Sequence, residues 1–127
     1  YPVWAAAMAG AAVTDLSDQY NLSDYSSNRA AAMGGSPWTG DNMQKYIEQS
    51  PITEAKNIKA PTLILANTGD PRVPIAQSYK LFHALKDNGT EVKFIVWPIN
   101  AHNASDPITQ MERDRYWINW IKEHLKK

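Results

Sequence analysis

Asp70 and His102 are the two side chains in this sequence whose type and placement suit proton-transfer chemistry. Each follows a short apolar run. PTLILA (Pro61–Ala66) leads into Asn67-Thr68-Gly69-Asp70, and EVKFIVW (Glu91–Trp97) leads through Pro98 to His102. Such runs, bounded by Pro, Gly and Asn, read as buried strands. In an open sheet of parallel strands, reactive groups gather on the loops at the strands' carboxyl ends. An Asp that orients a His, with the His acting as general base, makes two thirds of a Ser-His-Asp constellation. Simpler roles compete: an Asp in a Gly-Asp-Pro loop also serves as a turn residue, and a loop His as polar surface. Spacing alone leaves both open.

The missing third is a nucleophile. A serine that attacks carbonyls on such a scaffold sits in a G-x-S-x-G turn between a strand and a helix. Gly34-Gly35-Ser36-Pro37-Trp38 comes nearest, but it lacks the second glycine, puts proline directly after the serine and follows a helix, so Ser36 reads as a loop cap. Ser17, Ser23, Ser26, Ser27, Ser50, Ser78 and Ser105 have no elbow context. The absence of cysteine removes a thiol nucleophile, thiolate metal sites and disulfides. His83, His102 and His124 lack the spacing of a zinc site, so neither metal nor cofactor is expected. His83 and His124 read as surface or helix-end residues, and Asp15, Asp18 and Asp24 as a solvated loop.

The elements that must position Asp70 and His102 follow from the patterning. Trp4–Val13 is apolar throughout and reads as a strand buried on both faces, although its alanines also suit a helix. Asp15–Asp41 reads as a long polar connection with a short helix over Arg29–Met33, stopped at Gly34. Asp41–Glu48 is another short helix, and Ser50-Pro51 caps a turn through Ala55. Ile75–Asn88 is a helix with Leu81, Phe82 and Leu85 on one face and Gly89 as its left-handed cap. Asp106-Pro107 opens the last helix, whose buried stripe is expected to be Trp117, Ile118, Ile121 and Leu125. Strand, helix, strand, helix makes βαβ units and a parallel sheet.

The expected fold is therefore α/β, one domain over residues 1–127, with about three parallel strands, flanking helices and an incomplete sheet that leaves one edge free. Thirteen basic and thirteen acidic residues balance, which argues against nucleic acid as a partner. No apolar run is long enough to span a membrane, and the Tyr1–Gly10 start lacks a charged leader, so a soluble chain is expected. The compartment stays open between cytoplasm and a secreted or periplasmic location after processing.

Several blocks together resemble the prolyl oligopeptidase family, and within it the bacterial dipeptidyl aminopeptidase/acylaminoacyl-peptidase members. They are AAMAGAAVTD, GGSPW, QSPI, KNIKAPTLIL, the NTGDPRVPI loop with the QSYKLFHALKDNG helix after it, KFIVWP, and the H-x-x-x-D-P run from His102 to Pro107. The resemblance covers nearly the whole chain. It implies the C-terminal part of an α/β-hydrolase catalytic domain, with Asp70 as triad acid and His102 as base, in the acid-then-histidine order of that fold. It also implies that the nucleophile elbow, the oxyanion-hole donors and a propeller domain lie before Tyr1, and that the substrate is a peptide or ester. By the same resemblance Val13, Leu16, Tyr20 and Val73 fall near the pocket for the side chain preceding the scissile bond. Two departures stand out. Ala101 precedes His102 where the family often has glycine, which predicts a reshaped loop because alanine resists positive φ. Ala66-Asn67 stands where many relatives have His-Gly.

Three readings follow. The first is a serine-hydrolase fragment completed by an N-terminal segment. The second is a silent α/β domain that forms a homo-oligomer through its sheet edge. The third is a fragment with weak esterase activity of its own.

Overall fold

The structure, a computed structural model, describes residues 4–125. Three parallel strands form one sheet in the order β1 (Ala7–Gly10), β2 (Thr62–Asn67), β3 (Val92–Trp97). Ala7 pairs with Thr62 and Gly10 with Leu65, while Thr62 pairs with Val92 and Asn67 with Trp97. Helices α1 (Leu16–Leu22), α2 (Ser26–Met33) and α3 (Asn42–Glu48) and a 3-10 helix (Pro51–Asn57) fill the connection from β1 to β2. Helix α4 (Ala76–Asp87) crosses from β2 to β3, and α5 (Pro107–Leu125) follows β3.

β2 is central, and every residue in it is buried. Its alternating side chains serve two cores. Leu63 and Leu65 pack with Trp97 and Trp120 on the α5 side, whereas Ile64 packs with Leu81 and Leu85 on the α4 side. Complete burial of Leu63, Ile64 and Leu65 stabilises the fold by about 1.5–3 kcal/mol per side chain. The parallel βαβ arrangement expected from the patterning is present, and among the described residues both outer strands, β1 and β3, have an unpaired edge. Phe82 joins the α4 core as a partly buried neighbour, and Gly89 adopts φ 71° just beyond α4, as its position requires.

Three expectations need correction. β1 is only Ala7–Gly10, and its side chains alternate between half-buried and exposed. Its sequence suits burial on both faces, but among the described residues only β2 pairs with it, and Met8 stays 37% exposed. Residues 1–3 lie outside the described residues. The Asp15–Asp41 connection contains a helix that its polar sequence concealed, because α1 is held by capping and tertiary bonds. Asp15 accepts from the amides of Ser17 (2.9 Å) and Asp18 (3.1 Å). The fully buried Gln77 accepts from the amides of Thr14 (2.8 Å) and Asp15 (2.7 Å). Ser50 does stand at the N-cap of the 3-10 helix with Pro51 after it, as expected, but its side chain is engaged elsewhere: the hydroxyl accepts from the Leu16 amide (2.8 Å) and donates to the Tyr46 carbonyl (2.6 Å).

The third correction concerns α5. Trp117, Ile118, Ile121 and Leu125 are 38%, 50%, 37% and 68% exposed, and the buried residues are Trp120 and His124. The helix carries two apolar stripes, and periodicity alone does not choose between them. Packing does. Trp120 fits the Leu63–Leu65–Trp97 core with Tyr116 beside it, and His124, far from a surface residue, bonds the Trp120 carbonyl (2.8 Å) and Glu91 (3.1 Å). The other stripe faces outward. The Trp117 ring lies so close to Gly10 that an added Cβ there would sit 3.3 Å from it, so the free edge of β1 and this face of α5 are continuous.

Candidate active site

The loops after β2 and β3 run side by side because the strand ladder continues into them. The Thr68 amide donates to the Trp97 carbonyl (2.9 Å) and the Gly69 amide to that of Ile99 (3.0 Å). Gly69 is glycine for want of space: a Cβ there would lie 2.9 Å from the Asn100 Cα. This close approach brings Asp70 and His102 together. Asp70 Oδ2 lies 2.8 Å from His102 Nδ1. Asp70 Oδ1 accepts from the amides of Arg72 (2.8 Å) and Val73 (2.9 Å). The carboxylate thus works both as the turn residue of its Gly-Asp-Pro loop and as a partner for the imidazole.

Exposure divides the pair. The Asp70 side chain is 1% exposed and that of His102 40%. The carboxylate is sealed away from water, while the imidazole remains accessible from solvent. A carboxylate only accepts, so Nδ1 carries the ring proton and Nε2 presents its lone pair. This is the tautomer a general base needs.

The Asp70 loop is also tied to the helical lobe. The Arg72 carbonyl accepts from Gln19 Nε2 (2.7 Å) and Ser23 Oγ (2.6 Å), and the Asp24 amide donates to the Pro71 carbonyl (2.8 Å). The Arg72 guanidinium bonds Asp24 at 2.7 Å and lies 4.7 Å above the Tyr25 ring. The hydrogen bond from Arg72 holds the Asp24 carboxyl below its usual value, and the nearby His102 acts in the same direction. Asp15 and Asp18 both bond Lys80, at 2.8 and 2.7 Å. The acidic group is therefore a set of ion pairs rather than a free solvated loop.

Val13, Leu16 and Tyr20 come together with Met33 and Tyr46 in one apolar cluster of the helical lobe, in which Leu16 is buried. Val73 is buried in the Asp70 loop and is not part of that cluster. Among the described residues, the His102 side chain hydrogen-bonds Asp70, and no serine hydroxyl bonds its ring. Ser36 accepts from the Trp38 amide (3.2 Å), a loop cap. Ala101 does not take positive φ; among the described residues the only non-glycine that does is Ala11, at 46°. One residue at this site carried no functional signal in the sequence. Asn67, the last residue of β2, donates from Nδ2 to the carbonyls of Ala101 (2.8 Å) and His102 (3.2 Å). No group of three or more His, Cys, Asp or Glu suited to a metal ion occurs among the described residues.

A model of the prolyl oligopeptidase family matches residues 2–127. The chain belongs to the prolyl oligopeptidase family. It is 33% identical over 88 residues to the acylamino-acid-releasing enzyme of Arabidopsis thaliana, an alignment that takes in 69% of this chain and 12% of that enzyme. An acylaminoacyl peptidase of Pyrococcus horikoshii superposes on the whole chain with a TM-score of 0.88 and 29% identity, over 21% of its own length. An acylaminoacyl peptidase in complex with Z-Gly-Gly-Phe-chloromethyl ketone superposes with a TM-score of 0.86 and 28% identity, again over all of this chain and 21% of the other. This family member therefore has part of an α/β-hydrolase fold and spans about an eighth to a fifth of its relatives' length. Among its described residues, no helix is long and apolar enough to cross a membrane.

Proposed function

We propose that this chain supplies the acid and base of a serine peptidase or esterase whose nucleophile comes from another segment. The observation that carries the reading is the His102–Asp70 pair at 2.8 Å, with the second Asp70 oxygen fixed by two amides. In the reaction, His102 Nε2 takes the proton from an incoming serine hydroxyl as that oxygen attacks the substrate carbonyl. The imidazolium then protonates the leaving amine or alcohol, and an acyl-serine remains. Water enters and attacks the acyl carbon as His102 takes its proton; the serine Oγ–acyl bond then breaks, the imidazolium returns that proton to the serine oxygen, and the acyl group leaves as the acid. Asp70 keeps Nδ1 protonated, orients the ring and stabilises its cation in both halves. Peptide bonds are the favoured substrate class, because a relative of this fold is known in complex with a peptide chloromethyl ketone.

The test is reconstitution. Combining this chain with an N-terminal segment that carries a G-x-S-x-G elbow is expected to give hydrolysis of an activated ester and of an acylated peptide. His102→Gln should abolish both. Hydrolysis that survives His102→Gln would overturn the reading.

A second reading rests on the free edge of β1, continuous with exposed Met8 and Trp117. An unpaired strand edge beside apolar surface invites another strand, and a second copy of the chain meets that need by isologous pairing. Light scattering distinguishes the two. A homodimer has twice the 14.3 kDa of the chain; a monomer that binds the elbow segment one to one supports the first reading.

A further inference from the structure

β2 presents alternate side chains to the α5 side of the sheet, and the row reads Leu63, Leu65, Asn67. A carboxamide that is 3% exposed at the end of an apolar row is unfavourable unless its donors and acceptor are bonded. Asn67 satisfies only half of that requirement. Its Nδ2 donates to two consecutive carbonyls, Ala101 and His102, while its Oδ1 is buried without a partner. The reverse amide orientation would set Oδ1 against two carbonyl oxygens. The observed one sacrifices an acceptor in order to hold the backbone on both sides of the His102 nitrogen.

We propose that Asn67 is a positioning residue for His102, which it holds on Asp70 by clamping the loop from below. Residues 98–106 form no helix or strand, so nothing regular sets the direction of the His102 side chain. Three contacts from the end of β2 do so instead. Gly69 holds the Ile99 carbonyl and leaves room for Asn100, and Asn67 holds the carbonyls of Ala101 and His102. Two carbonyls fixed in succession restrict the backbone torsions of residue 102 and thereby the direction of its Cα–Cβ bond. Asn67 also acts where Ala101 provides no glycine-like turn. The inference rests on the acid–base reading of the site, and its test does not require catalysis.

The test reads the His102 imidazole by side-chain nitrogen NMR on the full chain, at a pH where the ring is neutral, with the signal assigned by its loss in His102→Gln. The wild type is expected in the Nδ1–H form that the Asp70 carboxylate selects. Asn67→Leu removes the donors at similar volume, and Asn67→Asp turns them into a charged acceptor; both are expected to lose the Nδ1–H form. Leu65→Ala weakens the same core without touching the loop and is expected to keep it, so a general loss of stability does not mimic the effect. If either Asn67 variant, folded by its amide spectrum, keeps the Nδ1–H form, Asn67 does not position His102. A wild-type ring in the Nε2–H form overturns the Asp70–His102 pairing itself, and this inference with it.

Discussion

Replacing Asp70 by Asn tests how the site selects its tautomer. Asparagine matches the shape but has one acceptor oxygen where aspartate has two. If that oxygen faces the Arg72 and Val73 amides, now held at 2.8 and 2.9 Å, both bonds survive and the NH2 group meets His102 Nδ1. If it faces His102, the buried Val73 amide loses its acceptor at a cost of about 1–3 kcal/mol, and the part-buried Arg72 amide loses its own at a smaller cost. The first orientation is therefore favoured by at least about 1–3 kcal/mol. Nδ1 must then accept, and the ring proton moves to Nε2, where it blocks removal of a serine proton. Folding stability should fall by only about 1–2 kcal/mol, because a charge-assisted bond becomes a neutral one. Activity of the reconstituted enzyme should fall by about 10⁴-fold, equivalent to about 5.4 kcal/mol in the barrier. Urea unfolding, side-chain nitrogen NMR and ester hydrolysis measure the three quantities. An Asp70→Asn protein that keeps the Nδ1–H form, or that loses less than about tenfold in rate, would refute the reasoning.

Other predictions concern the scaffold. Gly69→Ala drives a Cβ to 2.9 Å from the Asn100 Cα, and should cost about 1–3 kcal/mol in urea unfolding while shifting the His102 signals. Trp120→Ala should cost about 3–5 kcal/mol, whereas Ile118→Ser on the exposed stripe should change stability by less than about 0.5 kcal/mol; equal losses would show that α5 is rotated from its described orientation. Burial raises the Asp15 carboxyl, but its bonds to Lys80, Asp18 and Ser17 outweigh that and leave it below the usual aspartate value. Its stabilisation is thus complete above the unfolded aspartate range and is lost as pH falls through the lower folded value. Asp15→Ala should cost about 1 kcal/mol near neutral pH and progressively less in acid, as followed by thermal unfolding between pH 7 and pH 2.

The parts of this fold that could be read from the sequence are those whose burial is local and complete. β2 buries one unbroken run after Pro61 and α4 one helical face before Gly89, so periodicity and breakers suffice; β3 is only half-buried, but its apolar run up to Pro98 still marks it as a strand. Asp70 and His102 were legible because both stand just past strand ends in loops that carry the family's pattern. What stayed hidden depends on partners distant in sequence. α1 is a polar heptapeptide that becomes a helix because Gln77 and Ser50 receive its first amides. α5 offers two apolar faces, and only the Leu63–Leu65–Trp97 core selects Trp120 and His124 over Trp117 and Ile121. Asn67 looked like a mere departure from a family pattern because its hydrogen bonds go to two backbone carbonyls, which no side-chain motif records.

Fluorophosphonate labelling with intact-mass detection tests the central claim most directly. The account predicts no adduct on this chain alone. With an elbow-bearing N-terminal segment present, it predicts a single adduct on that segment's serine, which His102→Gln abolishes. An adduct on any serine of this chain, or labelling of the segment that persists in His102→Gln, would contradict it.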